Sequence, residues 1–98
     1  MDIWRACEEG KFGLVKRYVD RGHDLEAIDP EWKRTPLLLA SEHGHANIVK
    51  LLIEKGANVE AQGYDGDRAL MLASWKGHEE IVKILIAKGA NVNASDIR

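Results

Sequence analysis

Four histidines are the residues of this chain best suited to binding a metal ion, and two of them, His43 and His45, flank a single glycine. A zinc site needs three or four ligands that converge on one point. No cysteine and no second histidine pair lies near His43 and His45 in the sequence. The pattern therefore predicts no metal site. The alternative is structural, because His45 and His78 each come directly before a predicted helix.

The remaining candidates for catalysis are one cysteine and several neighbouring acidic residues. Cys7 holds the same place in a repeated pattern as Ser41 and Ser74, which is typical of a small residue at a helix contact rather than a nucleophile. Acidic pairs such as Glu8-Glu9 fall at predicted helix ends, where they are solvated surface charge. The nine glycines fall at helix ends and turns and form no phosphate-binding loop. The sequence predicts neither an enzyme nor a cofactor.

The composition is that of one small folded domain. Of the 98 residues, 45% are hydrophobic and 31% are charged. The net charge of −2 lacks the basic excess of a nucleic-acid-binding domain and offers no polybasic segment to a membrane surface. A single cysteine cannot form an internal disulfide, and neither a signal peptide nor a membrane-spanning run is visible. We expect an intracellular protein, cytoplasmic or nuclear.

A repeat of 33 residues organises the chain. The matching segments are 48–50 with 81–83 (Ile-Val-Lys) and 56–59 with 89–92 (Gly-Ala-Asn-Val). A looser copy lies upstream at a spacing of 34, since Val15-Lys16 precedes Val49-Lys50 by that distance. The extra residue must lie between Ala27 and Thr35. Such self-similarity is the signature of a stacked repeat architecture.

Each copy predicts two short helices followed by a turn-rich loop. Thr35 can cap a helix and Pro36 suits its first position, so a first helix begins there and ends at Gly44. A second helix is predicted over Ala46–Lys55, where apolar residues form a broad face, and it ends at Gly56. The loops over residues 28–34 and 62–67 are predicted to be extended and hairpin-like. Helices this short are marginal alone, so stacking must stabilise them.

The run from Thr35-Pro36-Leu37 through Gly44-His45 and Gly56-Ala57-Asn58-Val59 to Ala61 resembles an ankyrin repeat. The resemblance covers nearly the whole chain and implies an all-α solenoid of three stacked helix-turn-helix units, joined by hairpin-like loops. The repeats are assigned to residues 1–28, 29–61 and 62–94, and residues 95–98 begin a further loop. The resemblance also implies a non-catalytic protein-protein interaction module.

Some positions depart from the family pattern. Arg68-Ala69 replaces the threonine-proline pair in the third repeat, which predicts a first helix that lacks its cap and frays. The residue after Thr-Pro-Leu is usually histidine. Here that register holds Trp4, Leu38 and Met71, which are predicted to pack in the core between the first helices.

In ankyrin-like stacks the concave surface consists of loop tips and first helices, and partners commonly dock there. The residues of this chain at those places are Trp32, Lys33, Arg34, Glu42, His43, Tyr64, Asp65, Asp67, Trp75 and Lys76. They include three large aromatic residues, and Trp and Tyr are frequent binding hot spots. The alternative for Trp32 and Tyr64 is that both fold back and pack their own loops.

The two ends of the stack are predicted to differ. Arg17 replaces the apolar residue found at Leu51 and Ile84, as expected of a polar outer wall, and we expect the array to start where the chain starts. The last predicted helix keeps five apolar residues within six positions, which cannot all face inward. This predicts weak self-association through the third repeat, or loss of that helix first.

Three functions follow from the sequence. The first is a module that binds another protein, with no role for nucleic acid or membrane. The second is a structural or assembly role, as the N-terminal piece of a longer ankyrin array or a self-associating unit. The third is a small enzyme or ligand-binding protein that uses His43, His45 or Asp65, which is poorly supported because these residues lie on separate turns.

Overall fold

A computed structural model describes residues 1–92, which form six helices and their connecting loops. The helices are α1 (Ile3–Glu9), α2 (Phe12–Asp20), α3 (Pro36–Glu42), α4 (Ala46–Glu54), α5 (Ala69–Lys76) and α6 (Glu79–Ala87). They form three successive pairs, α1 with α2, α3 with α4 and α5 with α6, and each pair packs on the next. The predicted all-α stack of three helix pairs is confirmed. The expected beginning of a further loop at residues 95–98 lies outside the described residues.

The first helices of the three repeats begin differently. The side chain of Asp2 accepts a hydrogen bond from the backbone N–H of Arg5 at 2.8 Å and so caps α1. Thr35 caps α3 in the same way through Leu38 N–H, and Pro36 occupies the first turn as predicted. Arg68 gives α5 no side-chain cap, although this helix still extends over eight residues. The missing cap therefore leaves the N-terminal N–H groups of α5 with less support than those of α1 and α3.

The core runs along the stack between the first and second helices. Leu38 and Met71 are both buried, as the sequence predicts. Trp4, in the same register, is partly buried against the core, and its indole N–H donates to the carbonyl oxygen of Ala27 at 2.8 Å. A buried indole N–H needs such a partner. Core packing at this register is thus confirmed.

The second helices show which apolar residues a repeat buries against its neighbours. In the middle repeat both Ile48 and Val49 are fully buried, whereas Val82 of the third repeat is partly exposed. In α6 only Ile81 and Leu85 are buried, and Ile86 is 46% exposed. The apolar residues of this helix therefore do not all face inward, as predicted. Arg17, at the other end of the stack, is exposed as expected of an outer wall.

The stack has an inner and an outer side. The first helices, α1, α3 and α5, pack more closely on one another than α2, α4 and α6 do. We call the side formed by the first helices the inner side. The two described loops between repeats are hairpin-like as predicted, because the N–H of Asp29 donates to Arg34 O and that of Gly63 donates to Asp67 O, both at 2.9 Å.

Candidate partner-binding surface

The residues named from the sequence lie on two loops and on two helix ends. We call residues 28–34 loop A and residues 62–67 loop B. Glu42 and His43 lie at the C-terminal end of α3, and Trp75 and Lys76 lie at that of α5. Together with loops A and B, these helix ends form what we call the inner surface.

One arginine connects the parts of the inner surface. The guanidinium of Arg34 lies 2.5 Å from Glu42 Oε1, and its other nitrogen lies 3.3 Å from both Asp65 Oδ2 and Asp67 Oδ2. Only 16% of the Arg34 side chain is exposed, so these charge-assisted hydrogen bonds are poorly screened by water. Arg34 therefore ties loop A to α3 and to loop B. We call this group the Arg34 cluster.

The Arg34 cluster also affects the ionisation of Asp65. Partial burial raises the pKa of the Asp65 carboxyl group, but hydrogen bonding with Asp67 and the charge of Arg34 together lower it by more. The pKa of Asp65 consequently lies below its ordinary value. The carboxylate is therefore held ionised against the arginine.

The three aromatic residues of the inner surface expose large parts of their side chains. Trp32 is 51% exposed, Tyr64 is 80% exposed and Trp75 is 40% exposed. The alternative that Tyr64 folds back to pack its loop is therefore wrong, whereas Trp32 keeps about half of its side chain open to solvent. Exposed aromatic side chains of this size lose little conformational entropy when a partner covers them.

Two shallow cavities share Trp32 in their linings. The first, of about 250 Å³, is mainly polar, and its lining residues are Asp2, Arg5, Glu8, Asp29, Glu31 and Trp32. The second, of about 190 Å³, is mainly apolar, and its lining residues are Glu8, Trp32, Arg34, Leu39, Glu42 and His43. Trp32 and Glu8 thus belong to both. We call them the polar cavity and the apolar cavity.

The backbone of loop A is strained beside Trp32. Lys33 has a φ angle of +57°, in the left-handed region that side chains rarely adopt. The corresponding position of loop B is Gly66, with a φ angle of +84°. Loop A also has one residue more than loop B between its paired ends, which places the predicted insertion within residues 29–34. A lysine thus stands where the turn favours glycine.

The histidines before α4 and α6 join neighbouring repeats. His45 Nε2 lies 2.9 Å from the carbonyl oxygen of Glu8, and His78 Nε2 lies 2.9 Å from that of Glu42. A carbonyl oxygen only accepts, so Nε2 carries the proton in both rings. The structural alternative for these histidines is confirmed. Within residues 1–92 no group of three or more His, Cys, Asp or Glu side chains is arranged to hold a metal ion.

Cys7 is fully buried between helices, as its register with Ser41 indicates. Burial raises the pKa of its thiol to about 12. The reactive thiolate is therefore strongly disfavoured at neutral pH.

Sequence reasoning missed one feature of this surface. It placed Arg34 at a loop tip but gave no sign that it binds three carboxylates, because Asp65 and Asp67 lie 31 and 33 positions further along the chain. The sequence does place Glu8 at the exposed end of a first helix, in the repeat register of Glu42 and Trp75. The structure adds that Glu8 lines both cavities.

Comparison with known proteins identifies the family. A family model for ankyrin repeats matches residues 3–96 with three copies. An ankyrin repeat-containing protein of Schizosaccharomyces pombe is 33% identical over 69 residues, which are 70% of this chain and 33% of that protein. The B-cell lymphoma 3 protein homolog of Mus musculus is 42% identical over 65 residues, which are 66% of this chain and 14% of that protein. The chain belongs to the ankyrin repeat family, and its matched part spans a third or less of these relatives.

The family assignment gives a general function. Ankyrin repeats are generally protein-interaction modules, and the family is generally non-enzymatic. Among residues 1–92 the structure has no helix long and apolar enough to cross a membrane.

Proposed function

We propose that this chain is a non-catalytic module that binds another protein through its inner surface. The observation that carries the proposal is the exposure of Trp32, Tyr64 and Trp75 on that surface. Tryptophan and tyrosine contribute a large share of the binding energy in protein interfaces, since they bury much area and have few rotatable bonds.

The Arg34 cluster supports the same function because it fixes the surface before a partner arrives. Loop A carries Trp32 and loop B carries Tyr64, and Arg34 connects the two loops to each other and to α3. Loops that are ordered in the free protein lose less entropy on binding. The aromatic side chains are thus presented at fixed positions rather than on mobile loops.

Quantitative affinity capture from a cell extract tests the proposal when inner-surface and outer variants are compared. The inner variant combines Trp32→Ala, Tyr64→Ala and Trp75→Ala. The control combines Phe12→Ala and Ile86→Ala, which truncate exposed apolar residues of the second helices α2 and α6. Circular dichroism confirms that both variants keep the helix content of the unmodified chain.

We expect the inner variant to lose proteins that the unmodified chain and the control both retain. For a purified partner, truncation of one hot-spot residue weakens binding by about 2 kcal/mol, or about 30-fold in Kd. Equal retention by all three proteins, or loss with the control alone, contradicts the proposal. Unfolding of each aromatic variant would show that these residues belong to the core.

A further inference from the structure

The surroundings of Trp32 define the chemistry of a ligand more narrowly than the family does. We propose that the polar and apolar cavities bind one short segment of a partner protein in which a lysine or arginine adjoins an apolar residue. The basic side chain enters the polar cavity and the apolar one enters the apolar cavity. This inference rests on the proposed function, because it names the partner chemistry for the same surface.

The size of the cavities favours side chains over a small molecule. Sites for drug-sized ligands usually enclose roughly 300–1,000 Å³. The polar cavity encloses about 250 Å³ and the apolar cavity about 190 Å³, and Trp32 lines both. Each is therefore suited to one side chain, and two neighbouring residues of an extended segment can reach both around the indole.

The charge of the polar cavity favours a cation. Its lining has the four carboxylates of Asp2, Glu8, Asp29 and Glu31 against the single guanidinium of Arg5, so four negative charges and one positive charge leave −3. Arg5 is itself paired at 2.7 Å with Glu9, which lies outside the lining.

Two of the four carboxylates are already engaged with the backbone, and two are available to a ligand. Asp2 accepts the N–H of Arg5, and Asp29 accepts the N–H of Glu31. The carboxylates of Glu8 and Glu31 make no hydrogen bond or ion pair within residues 1–92, although both interact electrostatically with Arg5, whose direct partner is Glu9. They are the groups that a lysine or arginine side chain would pair with.

Trp32 adds an aromatic ring to the carboxylates of the polar cavity. The face of a tryptophan ring attracts a cation, and the alkyl part of a lysine or arginine packs on the same ring. The half-exposed indole lies beside the carboxylates, so one basic side chain contacts both. An acidic segment would meet like charges, and so would the phosphates of a nucleic acid.

The indole N–H signals of the three tryptophans provide a direct test by nuclear magnetic resonance. The full chain is titrated with the capped peptide Gly-Leu-Arg-Gly-Gly and, separately, with Gly-Leu-Glu-Gly-Gly. We expect the first peptide to shift the Trp32 signal with a Kd of about 1–10 mM, as befits two side chains, and to leave those of Trp4 and Trp75 unchanged. The glutamate peptide should shift none of them.

Charge variants separate specific pairing from general attraction. Glu8→Gln combined with Glu31→Gln should weaken binding of the arginine peptide at least fivefold. Glu79→Gln combined with Glu80→Gln makes the same change of net charge on α6 and should leave Kd unchanged. Helix content by circular dichroism confirms that both double variants fold.

Equal shifts with both peptides, or no shift of Trp32 at about 20 mM arginine peptide, overturn the inference. So does equal weakening by the two pairs of glutamate variants. If the peptide fails while the aromatic variants still lose a captured protein, the inference fails and the proposed function stands. If both fail, the inner surface is not the binding surface.

Discussion

Replacing Gly44 with alanine should destabilise the fold more than the same change at Gly77, because Gly44, unlike Gly77, lies under a histidine of the next repeat. The two glycines end the first helices of the second and third repeats with φ angles of +81° and +76°. The residue after each donates its N–H to the corresponding carbonyl, His45 to Ala40 at 3.0 Å and His78 to Ala73 at 2.9 Å. The backbone strain of an alanine is therefore the same at both sites.

The neighbours of the two glycines differ. A Cβ atom at Gly44 would lie 2.8 Å from Cε1 of His78, whereas a Cβ atom at Gly77 would meet nothing within 4 Å. Strain in the left-handed region costs about 1–2 kcal/mol at either site. It is offset by about 0.4–1 kcal/mol from the stiffer unfolded chain. At Gly44 the displaced ring also loses its bond to Glu42 O, which contributes about 0.5–1.5 kcal/mol, and its packing.

We therefore expect a loss of about 1–3 kcal/mol for Gly44→Ala, lost packing included, and about 0–1.5 kcal/mol for Gly77→Ala. Urea denaturation followed by circular dichroism measures both as shifts of the midpoint at unchanged slope. The double variant Gly44→Ala with His78→Ala should lose less stability than the sum of the single variants, because the alanine then occupies the space of the ring. Equal losses at Gly44 and Gly77, or additive losses in the double variant, would refute the role of the His78 ring in joining the second and third repeats.

Three further predictions concern the loops and the third repeat. Lys33→Gly should stabilise the fold by about 0.5–1 kcal/mol in urea denaturation, because glycine relieves the left-handed strain but has a more flexible unfolded chain; a lower midpoint would contradict the strain. Asp65 has a folded pKa below its unfolded value, so its ionised form stabilises the fold above about pH 4, and this contribution is lost as pH falls through the folded pKa. When the pH is lowered from about 5 to about 2, the free energy of unfolding should therefore fall less for Asp65→Asn than for the unmodified chain. Equal decreases would argue against the pairing of Asp65 with Arg34. Arg68→Thr with Ala69→Pro should add about 0.5–2 kcal/mol by restoring a cap and a rigid first turn, even though it removes the Arg68 contact with Glu60 at 3.5 Å. A lower midpoint in urea denaturation would contradict the role of the missing cap.

The sequence predicted the repeated part of the structure because each repeat uses local signals. Thr35 caps α3 through a residue three positions away, and Gly44 and Gly77 end their helices where the pattern placed them. Burial also followed from the register, as the positions of Leu38 and Met71 show. Such signals depend on residues close in the chain or one repeat apart, so they can be recognised from the sequence alone.

The candidate site was less predictable because its contacts cross between repeats in a way that no periodic pattern encodes. Arg34 and Asp67 hold the same position in successive repeats, yet one is basic and the other acidic. The repeat pattern therefore does not predict that they pair. The two cavities beside Trp32 depend on the extra residue in loop A, whose path cannot be derived from spacing. The exposure of Trp32 depends on the same path. Only the fold could show which side chains of loop A point to solvent.

Hydroxyl-radical footprinting of the chain, free and in complex with a captured partner, tests most directly whether the inner surface is the binding surface. Aromatic side chains oxidise readily when exposed, so the extent of oxidation measured by mass spectrometry reports the solvent exposure of each one. We expect Trp32, Tyr64 and Trp75 to become protected in the complex, while Phe12 and Ile86 on the second helices keep their reactivity. Protection of Phe12 and Ile86 with unchanged oxidation of the three inner aromatics would contradict this expectation.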